Sequence, residues 1–302
     1  MTPALSILLK DILDYAGLFP PASLDMPKAV TEYERHLTED TVGMLGGFVC
    51  PAARLDELAR NAEGRNWRLS ILGTNADSPQ NALLLPSDDM QRIRSFFHAN
   101  REFSLCALEF RVPPTFLGSR HLEEMPRIIE MLFEVKPQPH FFYELAWTAP
   151  WPTTFASLKR GGRSIKAKIR TGGLEASAFP TCEQLAAFMI AAREARIPWK
   201  ATAGLHHPLR KFQHEVGTKM HGFLNVFLGA ALAWKGGDEA ALVELLNEEE
   251  AGALQFTDDA VLWRNHVLDR ELLSRTRSEF ALSFGSCSYR EPIEDLKALK
   301  LS

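Results

Sequence analysis

The sequence predicts an α/β protein folded as a (β/α)8 TIM barrel with an N-terminal helical extension. Three observations lead there. Short apolar runs alternate with longer helical patterns along most of the chain, and the alternation counts to eight. Parallel neighbours need a crossover that a helix usually supplies, so strict alternation means a parallel sheet. No glycine fingerprint of an open dinucleotide-binding sheet follows the first strand, and no Pro/Gly/Ser linker, low-complexity tract or short repeat divides the 302 residues. One barrel domain over 1–302 is expected, with 1–40 packing on it as an extension.

In chain order, Leu5, Leu8, Leu9, Ile12 and Leu13 recur at helical spacing and predict a packed amphipathic helix. Lys10, Asp11 and Asp14 interrupt the run, and a basic leader and small-residue cleavage site are missing, so the start does not read as a signal peptide. "DYAGLFPPA" (14–22) is a proline-stiffened loop that either covers the barrel mouth with Asp14 or Tyr15 or wraps the base. The eight expected strands are 46–50, 68–73, 105–112, 140–147, 165–172, 199–206, 254–261 and 280–287. Helices are expected at "RLDELARNA", "MQRIRSFFHAN", "MPRIIEMLFEV", "CEQLAAFMIAAREA", "MHGFLNVFLGAALAW", "AVLWRNHVLDRELLSRTR" and "EPIEDLKAL".

Composition narrows the class of partner. A formal charge of -4 with scattered Lys and Arg argues against a nucleic-acid surface, and no run reaches the length of a membrane span. Cys50, Cys106, Cys182 and Cys287 are far apart and form no CxxC pair, which fits reduced thiols in a cytoplasmic protein. The expected partner is a small anionic substrate, and a homo-oligomer is compatible with the sequence.

Side chains along a barrel strand alternate between the interior and the surrounding helices, and reactive groups sit at the C-terminal strand ends. If Cys106, Leu108 and Phe110 face the helices, Glu109 and Arg111 point inward. Ala167 and Ile169 outward leave Lys166, Lys168 and Arg170 inside. Ala201, Ala203 and Leu205 outward leave Lys200, Thr202, Gly204 and His206 inside. Glu144 comes from the fourth expected strand; Thr257, Asp259, Ser283 and Cys287 come from the last two. Charges this crowded must neutralise one another or bind something polar. The set is therefore either a site for a carboxylate or phosphate, or a salt-bridged ring that only plugs the barrel. A lysine crowded by a second cation has a lowered pKa and can attack a carbonyl or abstract a proton beside one. Lys168 and Lys200 would supply that crowding for each other.

"AKIRTGG" and "WKATAGLHH", with their lysines 32 positions apart, resemble the paired strand ends of deoxyribose-phosphate aldolases and related class I aldolases. The resemblance covers about 40 residues. It implies Lys168 as a Schiff-base lysine and Lys200 as its pKa-lowering neighbour. In that family the two strands are the sixth and seventh of the barrel, whereas the count above makes them the fifth and sixth. The family's Asp-containing third-strand pattern is not found, and Glu109 would take an analogous part.

Four histidines cluster in sequence: His206, His207, His214 and His221. His206 and His207 follow a strand end directly, where a general acid or base or a phosphate contact would sit. A divalent metal ion is an alternative if either joins Glu144 or Asp259, although no HxH or HExxH spacing supports it. His221 and Asn225 either face the mouth or are polar groups at a helix start. Gly172, Gly173 and Gly204 allow backbone N–H groups to approach an anion, or serve only tight turns. The leading expectation is an aldolase- or lyase-type enzyme needing no cofactor, with Lys168, Lys200, Glu109, Glu144 and His206 catalytic. Arg111, Arg170, Thr202, His207, Gly172 and Gly173 would bind substrate. A metal-assisted enolase-like lyase or isomerase and a non-catalytic metabolite-binding barrel are the alternatives.

Overall fold

A computed structural model describes residues 1–76, 79–132 and 139–301. Its centre is a closed barrel of eight parallel strands. These are β1 (Leu13–Tyr15), β2 (Leu45–Pro51), β3 (Arg68–Leu72), β4 (Ser104–Arg111), β5 (His140–Leu145), β6 (Ile165–Arg170), β7 (Trp199–Thr202) and β13 (Ala281–Ser286). Every strand pairs in parallel with its neighbours, and β13 closes the ring on β1. Helices α2 (Met26–Glu39), α3 (Leu55–Asn61), α4 (Pro79–Ala99), α5 (His121–Leu132), α6 (Trp151–Gly161) and α7 (Cys182–Ala195) cross between successive strands. This is the expected (β/α)8 architecture, and helix α1 (Pro3–Leu9) precedes it.

The eight strands are not the eight that the sequence suggests. Leu13 and Ile12 read as the end of a helical stripe, but α1 stops at Leu9 and Asp11 takes a left-handed φ of 50°. The chain thereby swings into a three-residue strand, so part of the expected extension is barrel wall. At the other end, 254–261 is no barrel strand. Thr257 accepts from the Ala260 N–H at 3.0 Å and donates to its carbonyl at 2.9 Å, closing a turn over Asp258 and Asp259. The segment therefore folds into β10 (Leu254–Phe256) and β11 (Ala260–Trp263), which continue antiparallel into β12 (His266–Asp269). The helix expected over "AVLWRNHVLDRELLSRTR" accordingly splits. Arg264, at φ 50°, turns β11 into β12, and only α10 (Arg270–Glu279), capped by Asp269, is helical.

Local signals explain several element ends. Thr181 and Gln184 form a reciprocal capping box that starts α7, and Arg196 in the left-handed region ends it. The excursion between β7 and β13 begins with a hairpin of β8 (Lys211–Gln213) and β9 (Thr218–Met220). It continues through α8 (Phe223–Lys235), whose residues Phe223–Ala233 are all buried. A helix apolar on every face must be covered all round; the barrel, α7, α10 and α9 (Glu239–Leu246) do so. The chain ends in α11 (Arg290–Ala298). The expected tail of α5 over 133–135 lies outside the described residues. No helix among the described residues is long and apolar enough to cross a membrane.

The main core lies between barrel wall and helices. Trp199, at the foot of β7, is fully buried with ring centroids 5.5 Å from Phe188, 5.9 Å from Phe280 and 6.1 Å from Phe227. It anchors the strand that carries Lys200. Trp199→Ala is expected to lower the unfolding free energy by about 3–5 kcal/mol, read as a fall in the denaturant midpoint.

Candidate functional site

The barrel interior holds a ribbon of alternating charge. Lys168 of β6 and Lys200 of β7 are register partners, and Glu144 of β5 is the partner of Lys168 on the other side. Glu109 reaches between the two lysines from β4. It accepts from Lys168 Nζ at 2.7 Å through Oε2 and from Lys200 Nζ at 2.7 Å through Oε1. Lys168 also donates to Glu144 at 2.8 Å, and Lys200 to Asp14 of β1 at 2.6 Å. Arg170 stands 3.5 Å from the other Glu144 oxygen. The sequence of charges is thus Asp14, Lys200, Glu109, Lys168, Glu144 and Arg170, three acids and three cations. Neutral groups complete it: Ser70 donates to Glu109, Ser283 to Asp14 at 2.8 Å, and the Gly47 N–H to Asp14 at 3.0 Å. Lys200 also lies 5.3 Å above the ring of Phe142.

This arrangement reverses the expected electrostatics of the lysines. Lys168, Lys200 and Glu109 are 3%, 1% and 4% exposed. Burial works against both ammoniums, but Glu109 with Glu144 raises Lys168, and Asp14 with Glu109 raises Lys200, above the ordinary lysine value. The lysines do not crowd each other, because the Glu109 carboxylate lies between them. Burial would likewise push Glu109 up, yet the two ammoniums hold it well below the carboxylate range. Glu144 is also buried, and Lys168 and Arg170 keep its carboxyl lowered.

Above the ribbon, at the C-terminal strand ends, opens a cavity of about 360 Å³. Of the expected site residues, Glu109, Arg111, Glu144, Lys168, Arg170, Gly173, Lys200, Thr202 and His206 line it. Ala16, Phe19, Pro20 and Pro21 line its edge, so the 14–22 loop covers the mouth with apolar groups. Tyr15 is not among them, and its hydroxyl donates to Glu32 at 2.8 Å.

The remaining expected residues divide between the cavity wall, where Gly204 and Cys287 stand, and places away from it. His207 pairs with Asp295 of α11 at 2.6 Å and does not line the cavity, while His206 beside it contacts Glu291 at 2.9 Å. The ring of His221 is buried against the Pro180 carbonyl at 2.7 Å, and burial pushes it down to about 4. The Asn225 amide ties the Leu245 and Glu248 carbonyls. Both hold the outer layer together. His214 follows β8 in the hairpin. Gly172 and Gly204 pack back to back: a Cβ on Gly204, already at φ 76°, would come within 2.7 Å of the Gly172 Cα. Thr257 and Asp259 lie in the turn between β10 and β11 and do not line the cavity. Cys287 lines the cavity with its thiol raised by burial, unlike an activated nucleophile. Among the described residues no group of three His, Cys, Asp or Glu side chains is placed to hold a metal ion.

Asp14, expected in the loop 14–22, instead joins the ribbon from β1. Its signal was there, a lone acid inside "ILDYAG" with apolar neighbours on both sides. With β1 in the barrel, Lys168 and Lys200 occupy the sixth and seventh strands. No family model matches the chain, and comparison with curated proteins finds no similar sequence.

Two outcomes follow from the ribbon. Lys200→Met leaves Asp14 and Glu109 buried with less compensation, and is expected to cost about 3–5 kcal/mol of stability in denaturant unfolding. The second concerns pH. Folded-state values of Glu109 and Glu144 are lowered, so their contribution is present above about pH 4.3 and is lost as pH falls through the folded values. Those of Lys168 and Lys200 are raised, so theirs is complete below about pH 10.4 and is lost as pH rises through the folded values. Denaturant midpoints measured against pH should form a plateau between these limits.

Proposed function

We propose that the chain is an enzyme of aldolase or lyase type, acting on a small oxygenated metabolite that carries a carboxylate or phosphate. One observation carries this reading: Lys168 lines the mouth cavity with a carboxylate on either side of its ammonium. Such a lysine has a proton acceptor already in hydrogen bond. When a carbonyl compound displaces water from the cavity, the Lys168 proton passes to Glu144, the less enclosed of its two partners. The amine then adds to the carbonyl carbon. The oxygen takes one proton from the adding nitrogen and a second, the one first lost by Lys168, from Glu144; it leaves as water, and an iminium forms on Lys168. The iminium draws in the electron pair of a neighbouring C–C or C–H bond, and a ribbon carboxylate takes the proton released. Lys200 keeps Glu109 ionised throughout. Arg111, Arg170 and His206 supply cationic and hydrogen-bonding groups at the rim for the anionic end of the substrate.

Further support comes from strand position, since two lysines on the sixth and seventh strands agree with what the aldolase resemblance implies. The raised lysine values ask for substrate-triggered proton transfer in place of a free resting amine. Borohydride trapping tests the reading. With a panel of small aldehydes and keto acids bearing a carboxylate or phosphate, at least one is expected to add its reduced mass to Lys168. Lys168→Arg should abolish the adduct, whereas Lys297→Arg, at an exposed position of α11 that does not line the cavity, should not. No adduct on Lys168 with any member of the panel contradicts it.

A further inference from the structure

We propose that the opposite, N-terminal end of the barrel holds a second site, for a small anion bearing a carboxylate or phosphate. A cavity of about 550 Å³ lies there, with Lys10, Asp11, Arg68, His140, Arg277 and Ser278 in its walls. The lowest layer of a (β/α)8 barrel is ordinarily filled by bulky side chains. Here Gly46, Gly47, Ala107 and Ser283 line the space instead, and the layer stays hollow. Asp14 and Phe142 border the cavity on the side of the charge ribbon.

The charges around this space do not cancel as those of the ribbon do. Asp11 is engaged by Arg68 at 2.7 Å, and Asp14 by Lys200 at 2.6 Å. Lys10 and Arg277 therefore have no acidic partner among the described residues. Burial and the nearby Lys166 push His140 down to about 4, so at neutral pH its ring is uncharged. The balance facing the cavity is cationic.

Arg277 is the most informative of these groups. Its Nε donates to the Leu8 carbonyl at 2.8 Å, its Nη1 to the Ala281 and Leu282 carbonyls, and its Nη2 to the Lys10 carbonyl at 3.0 Å. The face of the guanidinium also lies 5.1 Å from the Phe227 ring. A guanidinium has five N–H donors, so one Nη2 hydrogen is left over. Four carbonyls fix the plane of this group but none neutralises it, and burial pushes it down to about 10. A half-buried cation held rigidly by four carbonyls, with Asp11 and Asp14 near it but no carboxylate in contact, is a preorganised half of an ion pair. The Lys10 side chain starts from the residue whose carbonyl Arg277 holds, so two cations converge on one edge of the cavity. On α10 Ser274 adds a hydroxyl for the polar remainder of a ligand, and Ser278, whose hydroxyl donates back to the Ser274 carbonyl at 2.9 Å, adds an acceptor.

Calorimetric titration with inorganic phosphate and with malonate, chloride balancing the ionic strength, tests the proposal. Because the mouth cavity also carries arginines, the double variant Arg111→Ala/Arg170→Ala serves as background. At least one anion is expected to bind at millimolar concentration or tighter, with affinity unchanged in that background; the tighter of the two names the head group. Lys10→Glu, at an exposed position, should weaken binding about tenfold or more, and Arg277→Gln should do the same where it folds. Absence of binding by both anions, loss of binding in the Arg111→Ala/Arg170→Ala background, or wild-type affinity in Lys10→Glu overturns the assignment.

Discussion

Glu109 shares one carboxylate between two lysine ammoniums, 2.7 Å from each, in the middle of the barrel. Three ions so placed have lost nearly all contact with water, at an effective cost of several kcal/mol per ion. Attraction between neighbours recovers that cost only when each charge meets an opposite one and its remaining hydrogen-bonding capacity is filled. The ribbon meets both conditions. It extends to Asp14 on one side and to Glu144 and Arg170 on the other, and serines and a backbone N–H occupy spare carboxylate positions. Removing a single member is therefore far more damaging than its own contact energy suggests.

The parallel register of the barrel makes the ribbon possible. Lys168 stands directly opposite Lys200 and directly opposite Glu144, so ammonium and carboxylate meet across adjacent strands at the same height. Two lysines at the same height would repel, and Glu109, two strands from Lys168 and three from Lys200, separates them. An apolar plug would give similar stability with less hazard. A polar interior opening into a cavity of about 360 Å³ fits the proposed function, in which a proton passed from Lys168 to Glu144 would create no net charge in the enclosed space. Under the proposed function, the raised lysines and lowered carboxylates are the resting state that a carbonyl substrate would disturb.

Much of this interior was legible from period two alone. Alternation in "IKAKIRTG" and "WKATAGLH" turned Lys168 and Lys200 inward, and "LCALEFRV" did the same for Glu109. Strand identity was less legible where elements are short or two-sided. The strand Leu13–Tyr15 spans three residues, too few to show a period, and its apolar residues continue the stripe of α1. The 254–261 segment has strand composition, but only the Thr257 turn bonds decide that it doubles back. The largest miss was electrostatic. Sequence shows two lysines on neighbouring strands, yet whether they crowd each other depends on a carboxylate arriving from across the barrel. His207 and His221 show the same limit, since their partners lie 88 and 41 positions away.

The protonation state of Lys168 tests the account most directly. Nitrogen-15 NMR of the lysine Nζ groups, assigned with Lys168→Arg and Lys200→Arg variants, can follow both ammoniums across pH. The charge ribbon requires that neither resonance titrates below about pH 10.4, the ordinary lysine value. A Lys168 that loses its proton near neutrality in the free protein would mean that the carboxylates do not control it, and would contradict the account.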